Sequence, residues 1–222
     1  MMEKHKVNKG VAIFLIAMTV LSFANLIKIE IDGELLKLAG LTVIIGIVAF
    51  FVTRRTNGSK YEGLNIKTFL RQFKNKKVIL LMLAPIVFDV ATSIAYKSLA
   101  PQYFDFLKAR LPFDLDSIPI QALLIELLVV PLGEEIALRA FYQKQITKIT
   151  GFLPALIISS VVFAMGHFSY GAPLIVILDL AGIFIDSLFY GMVFKETDNA
   201  WCSWVSHSSA DIVALVMIMF IL

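Results

Sequence analysis

Apolar residues in this chain come in blocks, each near the roughly 20 residues that a helix rising about 1.5 Å per residue needs to cross a bilayer. Seven such blocks run over roughly 11–27, 35–52, 78–99, 119–143, 152–169, 172–192 and 200–222. The composition follows from them: 59% of the 222 residues are hydrophobic, against about 45–50% in an ordinary soluble domain. Backbone polar groups in lipid must be satisfied within the segment, which a helix does. The expectation is an all-α polytopic membrane protein with about seven transmembrane helices. No internal repeat, low-complexity tract or soluble domain interrupts the blocks. Residues 1–222 are therefore expected to form a single membrane domain, with N-terminal spans in 11–99 and a second set in about 119–222.

Charge sits in the connectors. The segment from Arg54 to Lys77 holds Arg54, Arg55, Lys60, Lys67, Arg71, Lys74, Lys76 and Lys77 against one acid, Glu62. Such an excess marks a cytoplasmic loop. The basic start of the chain (Lys4, Lys6, Lys9) is two spans away, so both are expected inside, giving a cytoplasmic N-terminus. Part of 62–77 forms either an amphipathic helix on the inner surface, with Leu64, Phe69, Leu70 and Phe73 toward lipid, or a solvated basic loop. The first block also resembles a signal peptide, but Asn25-Leu26-Ile27-Lys28 after it lacks an Ala-x-Ala-like site, so it reads as a retained helix. The connection Lys97 to Asp116 is the longest on the outer side. Because the basic residues gather at membrane edges, the net charge of +3 does not indicate nucleic acid. A single cysteine, Cys202, excludes an intramolecular disulfide.

Against this background the fourth block is anomalous. It reads Pro131-Leu132-Gly133-Glu134-Glu135-Ile136-Ala137-Leu138-Arg139. A charge at the bilayer centre costs about 2.5–3.5 kcal/mol even on insertion scales, and intramembrane charges mark functional sites by default. Glu135 and Arg139 are at i, i+4 with the acid first, the favourable order for an ion pair. Glu134 points about 100° away from that pair on a helix of 3.6 residues per turn. It has no local cation, and a desolvated carboxylate without a partner suits a general base. The bland alternative is a buried salt bridge that fixes helix packing, with Glu134 a bystander. Pro131 and Gly133 point to a kink beside the pair.

Two further motifs follow. Phe163 and His167 share a face of the fifth block, and His207 and Asp211 share a face of the seventh. A lone membrane histidine is more often a packing or helix-bridging residue than a catalyst, whereas two with a carboxylate pair are harder to assign to chance. At about 1.5 Å per residue, Glu134 lies about 15 Å from Lys144, His207 about 10 Å from Ala200 and His167 about 22 Å from Phe152. Those depths permit one shared cavity, open toward the cytoplasm.

In this order on successive apolar segments, Glu134-Glu135-x-x-x-Arg139, Phe163-x-x-x-His167 and His207-x-x-x-Asp211 resemble the CPBP family. That family comprises CAAX prenyl endopeptidases of the Rce1 type and the bacteriocin-processing and self-immunity (Abi) membrane proteins. The resemblance implies an intramembrane protease with catalytic residues Glu134, Glu135, Arg139, His167, His207 and Asp211. Glu134 matches the glutamate that activates water and His167 the histidine that helps hold it. His207 and the residue four later match the oxyanion pair, and Glu135 and Arg139 match supporting positions. Asp211 departs from the asparagine of the endopeptidases. The resemblance further implies a prokaryotic plasma-membrane protein, no cofactor, and as partners the lipid bilayer and a membrane-associated peptide or protein substrate.

Other readings stand beside this one. Zinc held by Glu134, His167 and His207 is chemically reasonable, although there is no His-Glu-x-x-His. Cys202, five residues before His207, is a candidate thiol nucleophile. Asp89, Glu126, Asp179 and Asp186 add acids at membrane depth, as in a proton-coupled transporter, and Glu126 and Glu134 sit eight residues apart on one face. A non-catalytic scaffold of the same family, acting on another membrane protein, is the third.

Overall fold

The computed structural model describes residues 8–31, 34–35, 38–56, 62–111 and 117–221. Lys4, Lys6, Lys60, Pro112 and Asp116 lie outside them. The described chain is helical apart from a two-residue antiparallel pairing of Glu30–Ile31 with Glu34–Leu35. In order come α1 (Lys9–Ala24), α2 (Ala39–Thr56), the short α3 (Ile66–Gln72), α4 (Lys76–Leu99) and α5 (Gln102–Arg110). Five consecutive segments then continue one another: α6 (Ile120–Leu124), a π-helical stretch Ile125–Val129, α7 (Val130–Glu134), a second π-helical stretch Glu135–Gln143, and α8 (Lys144–Thr150). The chain ends with α9 (Phe152–Gly166), α10 (Pro173–Thr197) and α11 (Ala200–Ile221).

Among the described residues, α2, α4, α10 and α11 are long and apolar enough to cross a membrane, and α1 and α9 are shorter apolar helices. The outward faces are what lipid requires: Leu80 is 69%, Val87 66% and Leu174 64% exposed. The interior combines an apolar core, with Met18, Phe50 and Phe141 buried, and a set of buried polar side chains that find there the partners lipid cannot supply.

The second π-helical stretch is the centre of the bundle, and all nine of its residues are buried. One side meets α2 through small residues. A Cβ on Gly46 would fall 2.5 Å from the Ala137 Cβ, so glycine is needed for this approach. The other side carries Glu135, Arg139 and Gln143, four residues apart, toward α10. There Arg139 Nη2 donates to Ser187 Oγ (3.0 Å) and Gln143 Nε2 donates to the Gly191 carbonyl (3.0 Å). A Cβ on Gly191 would lie 2.7 Å from Gln143 Oε1 and 2.4 Å from Leu156 Cδ1. The sequence expectation of a kink at Pro131 and Gly133 becomes two π-helical stretches on either side of α7. Such stretches recur at functional sites.

At one end of the bundle the basic segment is tied down. Asn199 donates to the Asn65 carbonyl (2.8 Å) and accepts from the Asn65 N–H (3.1 Å). Lys144 pairs with Glu62 and Asp198. Of the four residues expected to face lipid here, Leu70 (73% exposed) and Phe73 do so. Phe69 instead packs toward Val78, Met82 and Cys202, and Leu64 packs on the main core. The segment is thus a short helix that is partly docked.

Candidate active site

Three helical elements converge on Glu134 and Glu135. The π-helical stretch supplies Glu135 and Arg139, the end of α9 supplies His167, and α11 supplies His207 and Asp211. Glu135 and Arg139 are fully buried. Arg139 Nε donates to Glu135 Oε2 at 3.3 Å, as the i, i+4 spacing predicts. The guanidinium also lies 5.1 Å from the centre of the Phe163 ring, a cation–π distance. The other Glu135 oxygen, Oε1, is 3.0 Å from His207 Nδ1. An ionised carboxylate only accepts, so Nδ1 carries the hydrogen and the ring's Nε2 is turned into the site. Tyr190 stacks on that ring at 4.4 Å, with 18° between the planes, and holds its orientation.

Glu134 does have partners, supplied by other helices rather than its own turn. Its Oε1 is 3.8 Å from His167 Nε2 and its Oε2 is 3.7 Å from His207 Nε2. Both separations exceed a direct hydrogen bond of about 2.7–3.2 Å. His167 Nδ1 is 2.9 Å from the Phe163 carbonyl, which can only accept, so Nδ1 is the donor and a neutral ring presents an Nε2 lone pair toward Glu134. The Phe163-x-x-x-His167 spacing therefore acts through the backbone of Phe163 as well as by ring contact at 4.6 Å. Asp211 Oδ2 is 3.6 Å from His207 Nε2, and its side chain is 37% exposed.

All six residues named from the motifs thus lie in one connected cluster. Helix rise alone permits depths spread over about 10–22 Å, and tertiary packing brings the side chains together. The Glu134 and His167 side chains line a small cavity of about 20 Å³ with Ser22 of α1 and Thr42 of α2, so the N-terminal helices contribute a wall. A larger cavity of about 280 Å³ adjoins the other side and shares Tyr190 and Asp211 with the cluster. It lies between the C-terminal half of α4, α5, the first π-helical stretch, the middle of α10 and the C-terminal half of α11. That is the end away from the basic segment. A cavity opening at the basic, cytoplasmic end was expected, and the geometry places the larger one oppositely.

Several alternatives change status. Cys202 is fully buried among Val78, Met82 and Val193, which gives a thiol no access to substrate. Glu126 and Glu134 do not share a surface in the way their spacing implied. A π-helical stretch intervenes, Glu126 lines the larger cavity, and Glu134 faces the histidines. Among the described residues no three His, Cys, Asp or Glu side chains form a group able to hold a metal ion. The sequence reasoning missed Tyr190, Ser187 and Gln143. Ser187 and Gly191 at i, i+4 are a small-residue stripe that could have signalled a close polar contact on α10.

Comparison with known proteins bears out the resemblance read from the motifs. Residues 116–213 match the model of a family described as type II CAAX prenyl endopeptidase Rce1-like. The match covers a little under half of the chain and includes all six cluster residues. No curated protein and no solved structure matches. Together with the four apolar helices, the match places the chain among integral membrane proteins similar to a protease family.

Proposed function

We propose that this protein is an intramembrane endopeptidase that hydrolyses a peptide bond in a membrane-associated peptide or protein, with water activated by Glu134 as nucleophile. The observation that carries the reading is the placement of Glu134 between two histidine Nε2 atoms, at 3.8 and 3.7 Å, each ring fixed by its own Nδ1 bond. Gaps of this size between polar groups suit one bridging water.

In this mechanism a water donates one hydrogen to Glu134 and is aligned by the His167 Nε2 lone pair. As its oxygen attacks the scissile carbonyl carbon, Glu134 takes the proton. The developing oxyanion accepts from His207 Nε2–H, and Glu135 balances the charge of the doubly protonated ring through Nδ1–H. Glu134 then delivers its proton to the leaving amide nitrogen, and the C–N bond breaks. Preorganised donors in a water-poor site are the largest contribution such a centre makes. Asp211 orients the His207 N–H in place of acting as a donor itself, which accommodates an aspartate where the endopeptidases have asparagine. Arg139 keeps Glu135 ionised and in place. The chemistry uses no metal, and chelator-insensitive cleavage would accord with it.

The accompanying picture is a seven-span chain in a prokaryotic plasma membrane, with the N-terminus in the cytoplasm and the described residues forming one domain. Peptide maturation and bacteriocin self-immunity are the roles that the family resemblance implies. The test is peptide-terminus profiling of cells carrying wild type or Glu134→Gln at equal abundance. Termini that depend on Glu134 are expected. Identical profiles would reject the protease in favour of a scaffold.

A further inference from the structure

The cavity of about 280 Å³ beside the cluster has an uneven charge. Its described lining includes the carboxyl groups of Asp89, Glu126, Asp179, Asp186 and Asp211, against the single guanidinium of Arg110. Arg110 is already bound to Asp179 Oδ2. What remains is a surplus of acid in a place where ionic groups are costly unless paired.

Two buried carboxyl oxygens in this lining have no hydrogen-bond partner, although Tyr103 lies within hydrogen-bonding reach of Asp179. Asp179 is 1% exposed, and its second oxygen, Oδ1, has no hydrogen-bond partner. Asp186 Oδ1 is likewise buried without a partner. Asp186 and Asp89 lie within side-chain hydrogen-bonding reach of each other on α10 and α4. Two carboxyl groups this close share a proton or, when both are ionised, have their repulsion relieved by a cation between or beside them.

The lining also says what kind of cation. The cavity is far larger than one ion requires, as a water occupies about 30 Å³ of liquid. None of the described residues lining this cavity belongs to a group of three His, Cys, Asp or Glu able to hold a metal ion. Apart from Thr92 the remaining walls are apolar or aromatic, among them Phe88, Tyr96, Tyr103 and Leu107. Apolar walls around an acidic end match a basic side chain, whose alkyl stem packs on hydrocarbon while its head is charged. Aromatic faces add to cation binding.

Resting on the protease reading, we infer that this cavity is a specificity subsite that takes a lysine or arginine side chain of the peptide substrate. Tyr190 and Asp211 are common to the cavity and the cluster around Glu134. The basic residue therefore binds within a few positions of the scissile bond.

The test is direct binding to purified full-length Glu134→Gln protein in detergent, where the probe is not consumed. The probes are labelled acetyl-Leu-Leu-Arg-Leu-Leu amide, its lysine analogue and its norleucine analogue. The arginine and lysine probes are expected to bind about tenfold or more tighter than norleucine, as desolvated charge pairs allow. The preference is expected to vanish in an Asp89→Asn/Asp186→Asn background that remains folded. Equal affinity for all three probes overturns the subsite, with no variant needed. So does a preference that survives the double substitution, or one abolished by sodium or calcium chloride at an ionic strength where choline chloride has no effect. Glu134-dependent termini lacking nearby lysine or arginine would remove the subsite and leave the protease standing. An arginine preference without any Glu134-dependent termini would do the reverse.

Discussion

Replacing Arg139 by methionine tests the logic of the buried centre. Arg139 and Glu135 are both fully buried. The substitution deletes the 3.3 Å pair, the 3.0 Å bond to Ser187 and the contact with Phe163, and leaves Glu135 ionised with only His207 as a charged partner. Removing one member of a buried pair costs about 3–5 kcal/mol. At about 2–4 °C per kcal/mol for a chain of this size, that lowers the melting temperature by roughly 6–20 °C. The pair is itself imperfectly compensated, since Arg139 Nη1 is buried with no partner. Removing both charges should therefore cost less than removing one. Glu135→Gln/Arg139→Met keeps an acceptor for His207 Nδ1 and is expected within about 2 kcal/mol of wild type. Cys202 makes the assay simple, because the only cysteine is fully buried and becomes reactive toward a thiol dye on unfolding. The reasoning is refuted if Arg139→Met melts within 2–3 °C of wild type (below about 1 kcal/mol), or if the double variant is no more stable than the single one.

Glu134→Gln is expected to lower cleavage by about 10²- to 10⁴-fold, the usual contribution of a general base, while the Cys202 melting curve stays near that of wild type. Asp211→Asn should keep Glu134-dependent cleavage within about tenfold; a loss as large as that of Glu134→Gln would make Asp211 the base. Gly46→Ala should destabilise by about 1–3 kcal/mol, because the new Cβ would meet Ala137 Cβ at 2.5 Å and its backbone Cα at 2.9 Å; the same dye assay reads it. Cys202→Ala should retain the Glu134-dependent termini, and their disappearance in a folded variant would restore the thiol reading.

Much of the site was legible because its parts are local. The Glu135–Arg139 pair and the shared faces of Phe163 with His167 and of His207 with Asp211 all follow from i, i+4 geometry within single helices. Glu134 was identifiable as the acid without a partner in its own turn, and the missing partners proved to be histidines on α9 and α11. The lipid-facing prediction for residues 62–77 half failed for a related reason. Amphipathic spacing identifies an apolar face, but whether that face meets lipid or protein depends on what packs nearby, and Phe69 found α4 and α11.

The sequence alone determined that the chain is a set of apolar helices, because lipid offers backbone polar groups no alternative, and singled out the charges at membrane depth as the candidate site. It could not determine register between helices. The π-helical stretches reset the faces along residues 120–150 and separate Glu126 from Glu134. Gly46 and Gly191 let helices approach closely enough for Gln143 and Ala137 to be enclosed. Only tertiary packing brought two histidine nitrogens within 4 Å of one carboxylate and gathered five acids around one cavity. Such placements depend on contacts between segments tens of residues apart, which no local period encodes.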